Sequence, residues 1–306
     1  MSQHDELQTL LQKTSRTFAL SIPLLPEPTR REVGTAYLLF RIADTLEDAT
    51  LWSPEQRVRA LLEFRELLAS DRRELGEQAC ARWCASPPVA QDGYLELLTA
   101  MPRVLDWYRA LDPSAISQIE LHAGRSATRM AQFVQRMDGQ GGLRLSTMAE
   151  LSEYCLAVAG IVGQMLTELF LKGRPELEGV AAGLRERALS FGEGLQLVNI
   201  LKDASSDRAA GRVYLPSEVP LREVLDLAWR DLRRAEEYNQ LLRAACNERG
   251  LWAFNALNAG LAVACLKLLS ARGLDSKLTR EQVTSLHARV LHAAERDLPL
   301  TGELPA

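Results

Sequence analysis

Two stretches of this chain place oxygen-bearing side chains at helical spacing inside otherwise apolar sequence. In the first, Tyr37, Arg41, Asp44 and Asp48 follow at intervals of four, three and four residues, with Glu47 three beyond Asp44. On a helix these form one polar stripe. The surrounding Ala36, Leu38, Leu39, Phe40, Ile42, Ala43 and Leu46 are apolar. In the second, Gln196, Asn199, Asp203 and Asp207 follow at intervals of three, four and four, among Leu195, Leu197, Val198, Ile200 and Leu201. A polar stripe on an apolar helix must find partners or line a cavity, because unpaired buried charge is too costly. A single Asp-x-x-x-Asp is most often a solvated face paired with Lys. Two of them, each on an apolar helix and each beside basic residues, point away from that reading.

Carboxylates with an Asn amide suit a hard cation such as Mg²⁺ (or Mn²⁺), which takes oxygen ligands and keeps several waters. Such a site would be over-negative alone. Arg16, Arg41, Lys202 and Arg212 then make sense as partners of a ligand that brings its own negative charge, and a diphosphate is the natural candidate. The chemistry favoured is departure of diphosphate to leave a carbocation, in a pocket whose apolar walls suit a hydrocarbon chain. Spacing alone leaves open any Mg²⁺-diphosphate enzyme.

The elements that must position these residues read as helices throughout. Helical periodicity covers about 27–48, 55–68, 92–110, 114–137, 147–171, 180–208, 221–245, 250–270 and 279–296, and strand signals are almost absent. In 55–68, Val58, Leu61, Leu62, Phe64 and Leu68 fall near one face. Breaks fall at Pro26 and Pro28, Ser53-Pro54, Pro87-Pro88, Asp112-Pro113, Gly139 to Gly142, Gly173 to Pro175, and Pro216 to Pro220. No linker or composition change divides the 306 residues, so the expectation is an all-α fold in a single domain, 1–306. The formal charge of −4 and the lack of Lys/Arg-rich runs argue against nucleic acid as a partner.

The five cysteines are odd in number and scattered, as in a reduced protein. Cys80 and Cys84 could face each other on a helix, but no second Cys/His pair stands near to complete a zinc site. The N-terminus is polar and amphipathic, unlike a signal peptide. The apolar stretches 154–171 and 256–270 are interrupted by Gln164, Glu168, Asn258 and Lys267, short of the ~20 apolar residues of a spanning helix. The expected location is cytoplasmic, without a transmembrane helix and with peripheral contact to the inner face of a membrane for product release.

Four motifs together resemble the squalene/phytoene synthase family. They are Ser15-Arg16-Thr17-Phe18; Tyr37-x3-Arg41-x2-Asp44-Thr-Leu-Glu47-Asp48; Tyr154-Cys-x2-Val158-Ala-Gly160-x-Val-Gly163; and Gln196-x2-Asn199-x2-Lys202-Asp203-x3-Asp207-x3-Gly211-Arg212-x-Tyr214-x-Pro216. The resemblance implies the single-domain isoprenoid synthase-type helical bundle with a central cavity. It also implies head-to-head joining of two prenyl diphosphates through a cyclopropylcarbinyl diphosphate that is ionised again. By motif position, Asp44, Glu47, Asp48, Asn199, Asp203 and Asp207 would bind the metal. Ser15, Arg16, Thr17, Phe18, Tyr37, Arg41, Gln196, Lys202 and Arg212 would line the substrate site. Tyr154 would act catalytically with Asp44, Asp203 and Arg212, helping to remove or relay a proton beside the leaving diphosphate. Phe18 and Tyr37 would shield cationic carbon with their ring faces.

Lys202 stands where many members have Arg, and Ser206 where an acidic residue is common. The C-terminal third is less distinctive, and the hydrophobic anchor of the eukaryotic enzymes is not seen. Asp44-Thr-Leu-Glu-Asp48 looks most like the bacterial squalene-forming members, which implies two farnesyl diphosphates as substrate and NADPH for a reductive quench. Gly211-Arg-Val-Tyr-Leu-Pro216 looks more like the phytoene branch, for which phytoene or dehydrosqualene would form without reductant. No Gly-x-Gly-x-x-Gly follows a strand, so NADPH would bind basic side chains, with Arg16, Arg41, Lys277 and Arg280 as candidates. A solvated helix start is the plainer role for the last two. A non-catalytic assembly factor is the remaining alternative, and the intact Asp motifs weigh against it.

Overall fold

Short polar signals start many of the helices. Ser53 Oγ accepts from the Gln56 N–H at 3.3 Å while Gln56 Oε1 accepts from the Ser53 N–H at 2.9 Å, a reciprocal cap with Pro54 in the first turn. Asp112 caps the helix that begins at Pro113, Thr147 accepts from Glu150 N–H, and Thr279 and Gln282 repeat the reciprocal cap. A computed structural model describes residues 3–137 and 142–296 of the chain. Of the turn expected at Gly139 to Gly142, only Gly142 is among them.

The described residues fall into two compact units, one within 1–19 and 27–143, the other within 20–26 and 144–306. The first holds α1 (Gln3–Thr14), α3 (Thr29–Glu47), α4 (Pro54–Leu68), α5 (Arg73–Ala85), α6 (Asp92–Arg109) and α7 (Pro113–Gln135), with the short α2 (Phe18–Ser21) where the chain leaves it. In this unit α4 packs on α7, α5 on α6, and α3 on α4, α6 and α7. Leu38, Leu39, Ile42 and Leu46 of α3 are fully buried, as the apolar letters around the first stripe require. The face of α4 is rotated from the expectation. Leu61, Phe64 and Leu68 are buried, but Val58 and Leu62 are only half-buried. Arg57 is buried instead, with its guanidinium donating to Trp52 O and Met137 Sδ. Helices α1, α2 and α5 are additional to those read from periodicity.

The second unit is built on α10 (Ala181–Lys202), which packs against α8 (Met148–Cys155), α9 (Ile161–Leu171), α12 (Leu221–Ala245) and α13 (Arg249–Arg272). Helix α14 (Arg280–Arg296) lies on α13. The only described strands are two residues each, β1 (Leu143–Arg144) and β2 (Arg212–Val213), so the all-α expectation holds. Contrary to expectation, Met148–Leu171 and Arg249–Arg272 are long and apolar enough to cross a membrane by length and composition. Half of the first apolar window and 67% of the second are buried within the fold, as in core helices.

Where α10 meets α12, Glu193 and Asp231 are both buried, and Glu193 Oε1 and Asp231 Oδ2 find no hydrogen-bond partner. Burial pushes Asp231 up to about 7, with the Glu193 charge adding and Arg230 and Arg234 opposing. Burial raises Glu193 too, against Ser152 and Arg230. Both folded values exceed the unfolded ones, so the folded state binds more protons over the interval between them. The pair's contribution to stability is complete below about pH 4 and is lost as pH rises through about 7. Asp231→Asn is therefore expected to raise the melting temperature by several degrees at about pH 8 and to flatten its decline with pH. Thermal melts followed by circular dichroism across this range check it; an unchanged pH profile would dismiss the pair as a source of the dependence.

Candidate active site

In the first unit the acidic motif closes α3. Arg41 and Tyr37 lie one turn apart, and the guanidinium donates to Tyr37 Oη from Nη2 at 3.0 Å. Its Nη1 reaches Asp44 Oδ2 at 3.3 Å. The cation also lies over the rings of Tyr37 and Tyr94, 5.6 and 5.8 Å from their centroids. Tyr94, from α6, was not singled out by the sequence. Tyr37 Oη in turn donates to Thr14 O at 3.3 Å, and its ring meets Phe18 with centroids 5.1 Å apart. The Ser15 hydroxyl accepts from the Phe18 N–H at 2.9 Å and shapes the Ser15–Phe18 turn. Ser15, Phe18, Tyr37, Arg41 and Asp44 are thus one connected group, while Arg16 is exposed and Thr17 half-buried. Burial pushes Asp44 up to about 6; Arg41 opposes the shift and Asp48 adds to it. Asp48 stays half-buried at the end of α3, whereas Glu47 is only 5% exposed.

In the second unit the motif departs from the expected unbroken helix over 180–208. Helix α10 ends at Lys202, Asp203 takes φ −115° and ψ 14°, and α11 (Ala204–Ala209) begins anew. At the break the missing helical bond is replaced by partners far along the chain. The Ser205 N–H donates to Asp275 Oδ1 at 2.8 Å, and Leu201 O accepts from the Asp275 N–H at 3.2 Å. Those two groups would otherwise bond each other within a helix. The Asp203 N–H to Asn199 O and Asp207 N–H to Asp203 O bonds persist, so the stripe is bent rather than lost.

Each carboxylate of this motif holds a base. Asp203 takes Lys277 Nζ at 2.7 Å and Lys202 Nζ at 3.4 Å, and Asp207 takes Arg212 Nη2 at 3.2 Å. Lys202 also donates to Asn199 Oδ1 at 3.0 Å. Lys277 is therefore part of the second motif's electrostatics, and not merely a solvated residue before a helix. Arg280 is exposed in the first turn of α14, and Gln196 is half-buried one turn before Asn199. Ser206 donates its hydroxyl to Asp203 O at 2.8 Å.

Tyr154, next to last in α8, is 4% exposed, and its hydroxyl donates to Tyr214 Oη at 3.0 Å. The two rings stack with centroids 4.6 Å apart. Tyr214 stood inside the fourth motif but had been given no role. Directly after Tyr154 the helix widens into one π turn, Leu156–Gly160, a device common at functional sites. Gly163 of the third motif and Gly192 of α10 permit the two helices to pass this close. A Cβ on Gly163 would sit 2.2 Å from Ala188 O, and one on Gly192 2.1 Å from Ala159 O.

Among the described residues no three His, Cys, Asp or Glu side chains converge as a metal cage. The donor set nonetheless fits Mg²⁺, which is commonly held by one or two carboxylates plus the phosphates of a substrate. In each unit the acidic motif already holds bases: Arg41 on Asp44 in the first, and Lys202, Lys277 and Arg212 on Asp203 and Asp207 in the second. Two open grooves of about 640 and 560 Å³, along α13–α14 and α4–α7, contain no residue of either motif. Cys155, Cys246 and Cys265 are buried; Cys80 and Cys84 do face each other, with sulfurs 4.0 Å apart, and all five are free thiols.

The sequence profile of the squalene/phytoene synthase family matches residues 11–274. Human squalene synthase is 31% identical over 218 residues, covering 71% of this chain and 47% of that protein. The presqualene diphosphate synthase of Rhodopseudomonas palustris is 28% identical over 203 residues, 66% of this chain and 59% of the relative. A solved complex of TcSQS with the ligand BPH1237 aligns with a TM-score of 0.78 at 26% identity, covering 95% of this chain and 88% of that one. The chain spans about half the length of the curated relatives it matches. With its motifs in order and its helices in place, the chain belongs to the squalene/phytoene synthase family.

Proposed function

We propose that this protein is a prenyl transferase that joins two farnesyl diphosphates head to head, through presqualene diphosphate, to squalene. The observation that carries the reading is that the Asp residues of both motifs, Asp44, Asp203 and Asp207, each hold an Arg or Lys that a diphosphate could take over. Asp44, Glu47, Asp48, Asn199, Asp203 and Asp207 would hold Mg²⁺, which supplies positive charge to a departing diphosphate. Glu47 joins only if its buried side chain turns outward. Arg41, Lys202, Lys277 and Arg212 neutralise the remaining diphosphate oxygens.

The first condensation forms a carbon–carbon bond and a cyclopropane ring, and releases one diphosphate and one proton. Tyr154 is suited to receive that proton. Its hydroxyl donates to Tyr214 Oη, and the pair can relay the proton to the departing diphosphate, which is the base that finally takes it. The Phe18 and Tyr37 rings offer π faces to cationic carbon. Loss of the second diphosphate gives a cation that rearranges and is quenched by hydride, which NADPH would supply, with Arg16, Arg41, Lys277 and Arg280 as the basic groups considered for it. The protein would work in the cytoplasm, peripheral to the membrane that receives its product.

The direct test incubates the protein with farnesyl diphosphate and follows release of inorganic diphosphate. Release is expected with Mg²⁺ or Mn²⁺ and is expected to stop on full chelation. Release that survives chelation would sink the clamp reading. A protein that releases none under any condition would be the non-catalytic alternative.

A further inference from the structure

At the bend beside Asp203, one residue of the segment between α13 and α14 takes both groups of the missing helical bond. The Asp275 carboxylate takes the Ser205 N–H at 2.8 Å and the Ser205 hydroxyl at 2.5 Å, while its own N–H satisfies Leu201 O. Asp275 has φ 64°, a left-handed conformation that side chains other than those of Asn and Asp seldom adopt. Gly273, two residues earlier at φ 89°, and the bond from Ser276 Oγ to Gly273 O at 2.8 Å complete the turn. The same turn brings Lys277 to Asp203 Oδ1. The two bonds from Ser205 hold the Asp275 carboxyl below the usual carboxylate range, so it stays charged and the bonds stay charge-assisted.

We propose that Asp275 is a positioning residue for the second acidic motif: by taking Ser205 out of the helix it bends the chain at Asp203 and sets that carboxylate, with Lys202 and Lys277, in the arrangement a cation–diphosphate ligand requires. This rests on the reading of that motif as a diphosphate clamp. Asp275 itself touches neither ligand, and Asp203 owes its backbone angles and its Lys277 partner to it. Groups that orient metal-binding side chains commonly set affinity over a range of about 10- to 100-fold.

The test measures binding of Mn²⁺ in the presence of inorganic diphosphate, by electron paramagnetic resonance and calorimetry, to the full chain and its variants. Asp275→Gly keeps the left-handed backbone and removes the carboxylate; it should weaken binding about 10- to 100-fold. Asp275→Asn keeps the turn and one acceptor, and should fall between. Ser205→Ala added to Asp275→Gly should cost little more, because both remove one interaction. Hydrogen exchange of the Ser205 amide should speed up in Asp275→Gly, a readout independent of turnover. Ser276→Ala, in the same turn, should bind as the parent does.

Parent-like binding by Asp275→Gly, or an equal loss in Ser276→Ala, overturns the positioning role and leaves the clamp reading standing. If the parent protein binds no Mn²⁺ with diphosphate, the clamp reading falls and this proposal with it. Should Asp275→Gly not fold, Asp275→Asn decides by the same measurements.

Discussion

Asp44→Asn and Asp203→Asn are each expected to lower turnover of farnesyl diphosphate about a thousandfold or more, with helix content unchanged. The two substitutions remove charge by different routes. Burial around its half-buried side chain pushes Asp44 up to about 6, so an uncharged amide of the same shape should pack there. Loss of function there would report on charge and not on collapse. Asp203 carries two ammonium partners, Lys202 and Lys277, and Asn leaves both without a counterion. Its side chain is about one-third exposed, so those partners can be solvated and the cost to stability should stay small. The cost to catalysis should not, since stabilising a departing anion is commonly the largest single term in such reactions. Circular dichroism, melting temperature and single-turnover release of diphosphate separate the two effects. Wild-type-like turnover in either variant would return that stripe to an ordinary solvated helix face.

The Tyr37–Arg41–Asp44 stripe of the first motif was legible because it is local. Tyr37, Arg41 and Asp44 lie on one uninterrupted helix, and their order along α3 alone puts the guanidinium between phenol and carboxylate. Tyr94, which covers the same guanidinium from α6, was hidden because aromatic letters on a helix usually mean core packing. In the second motif, local periodicity predicted a straight helix and missed the bend. The competing partner for Leu201 and Ser205 is supplied by Asp275, seventy residues on, and periodicity carries no information about it. For the same reason Lys277 could be named but its ion pair with Asp203 could not. Tyr214 is intermediate: it stood in a motif, yet only its stacking on Tyr154 reveals a role. The rotated face of α4 has another cause. Arg57 can be buried because its guanidinium finds Trp52 O and Met137 Sδ, so polar letters on that face misdirect a pattern based on hydrophobicity.

The product formed from farnesyl diphosphate is expected to change with the reductant. With Mg²⁺ and NADPH the protein should yield squalene; with Mg²⁺ alone it should stall at presqualene diphosphate or leak to dehydrosqualene and alcohols. A carbocation that meets no hydride must lose a proton or capture water, so reductant alters the identity of the product as well as the rate. Among the four basic residues considered for NADPH, three are poor discriminators. Arg41 is tied to Asp44, Lys277 to Asp203, and Arg16 adjoins the Phe18 turn beside Tyr37. Their loss would disturb diphosphate binding whether or not NADPH is used. Arg280 belongs to neither acidic motif and is exposed in the first turn of α14, beside Glu281, where a cation is not stabilised by the helix dipole. Arg280→Ala should therefore shift products away from squalene while consumption of farnesyl diphosphate continues at its former rate. Lys277→Ala should slow consumption itself. Chromatography of the extracted hydrocarbons, with and without NADPH, reads both. If the products are the same in either case and geranylgeranyl diphosphate is the better substrate, the squalene reading gives way to synthesis of phytoene.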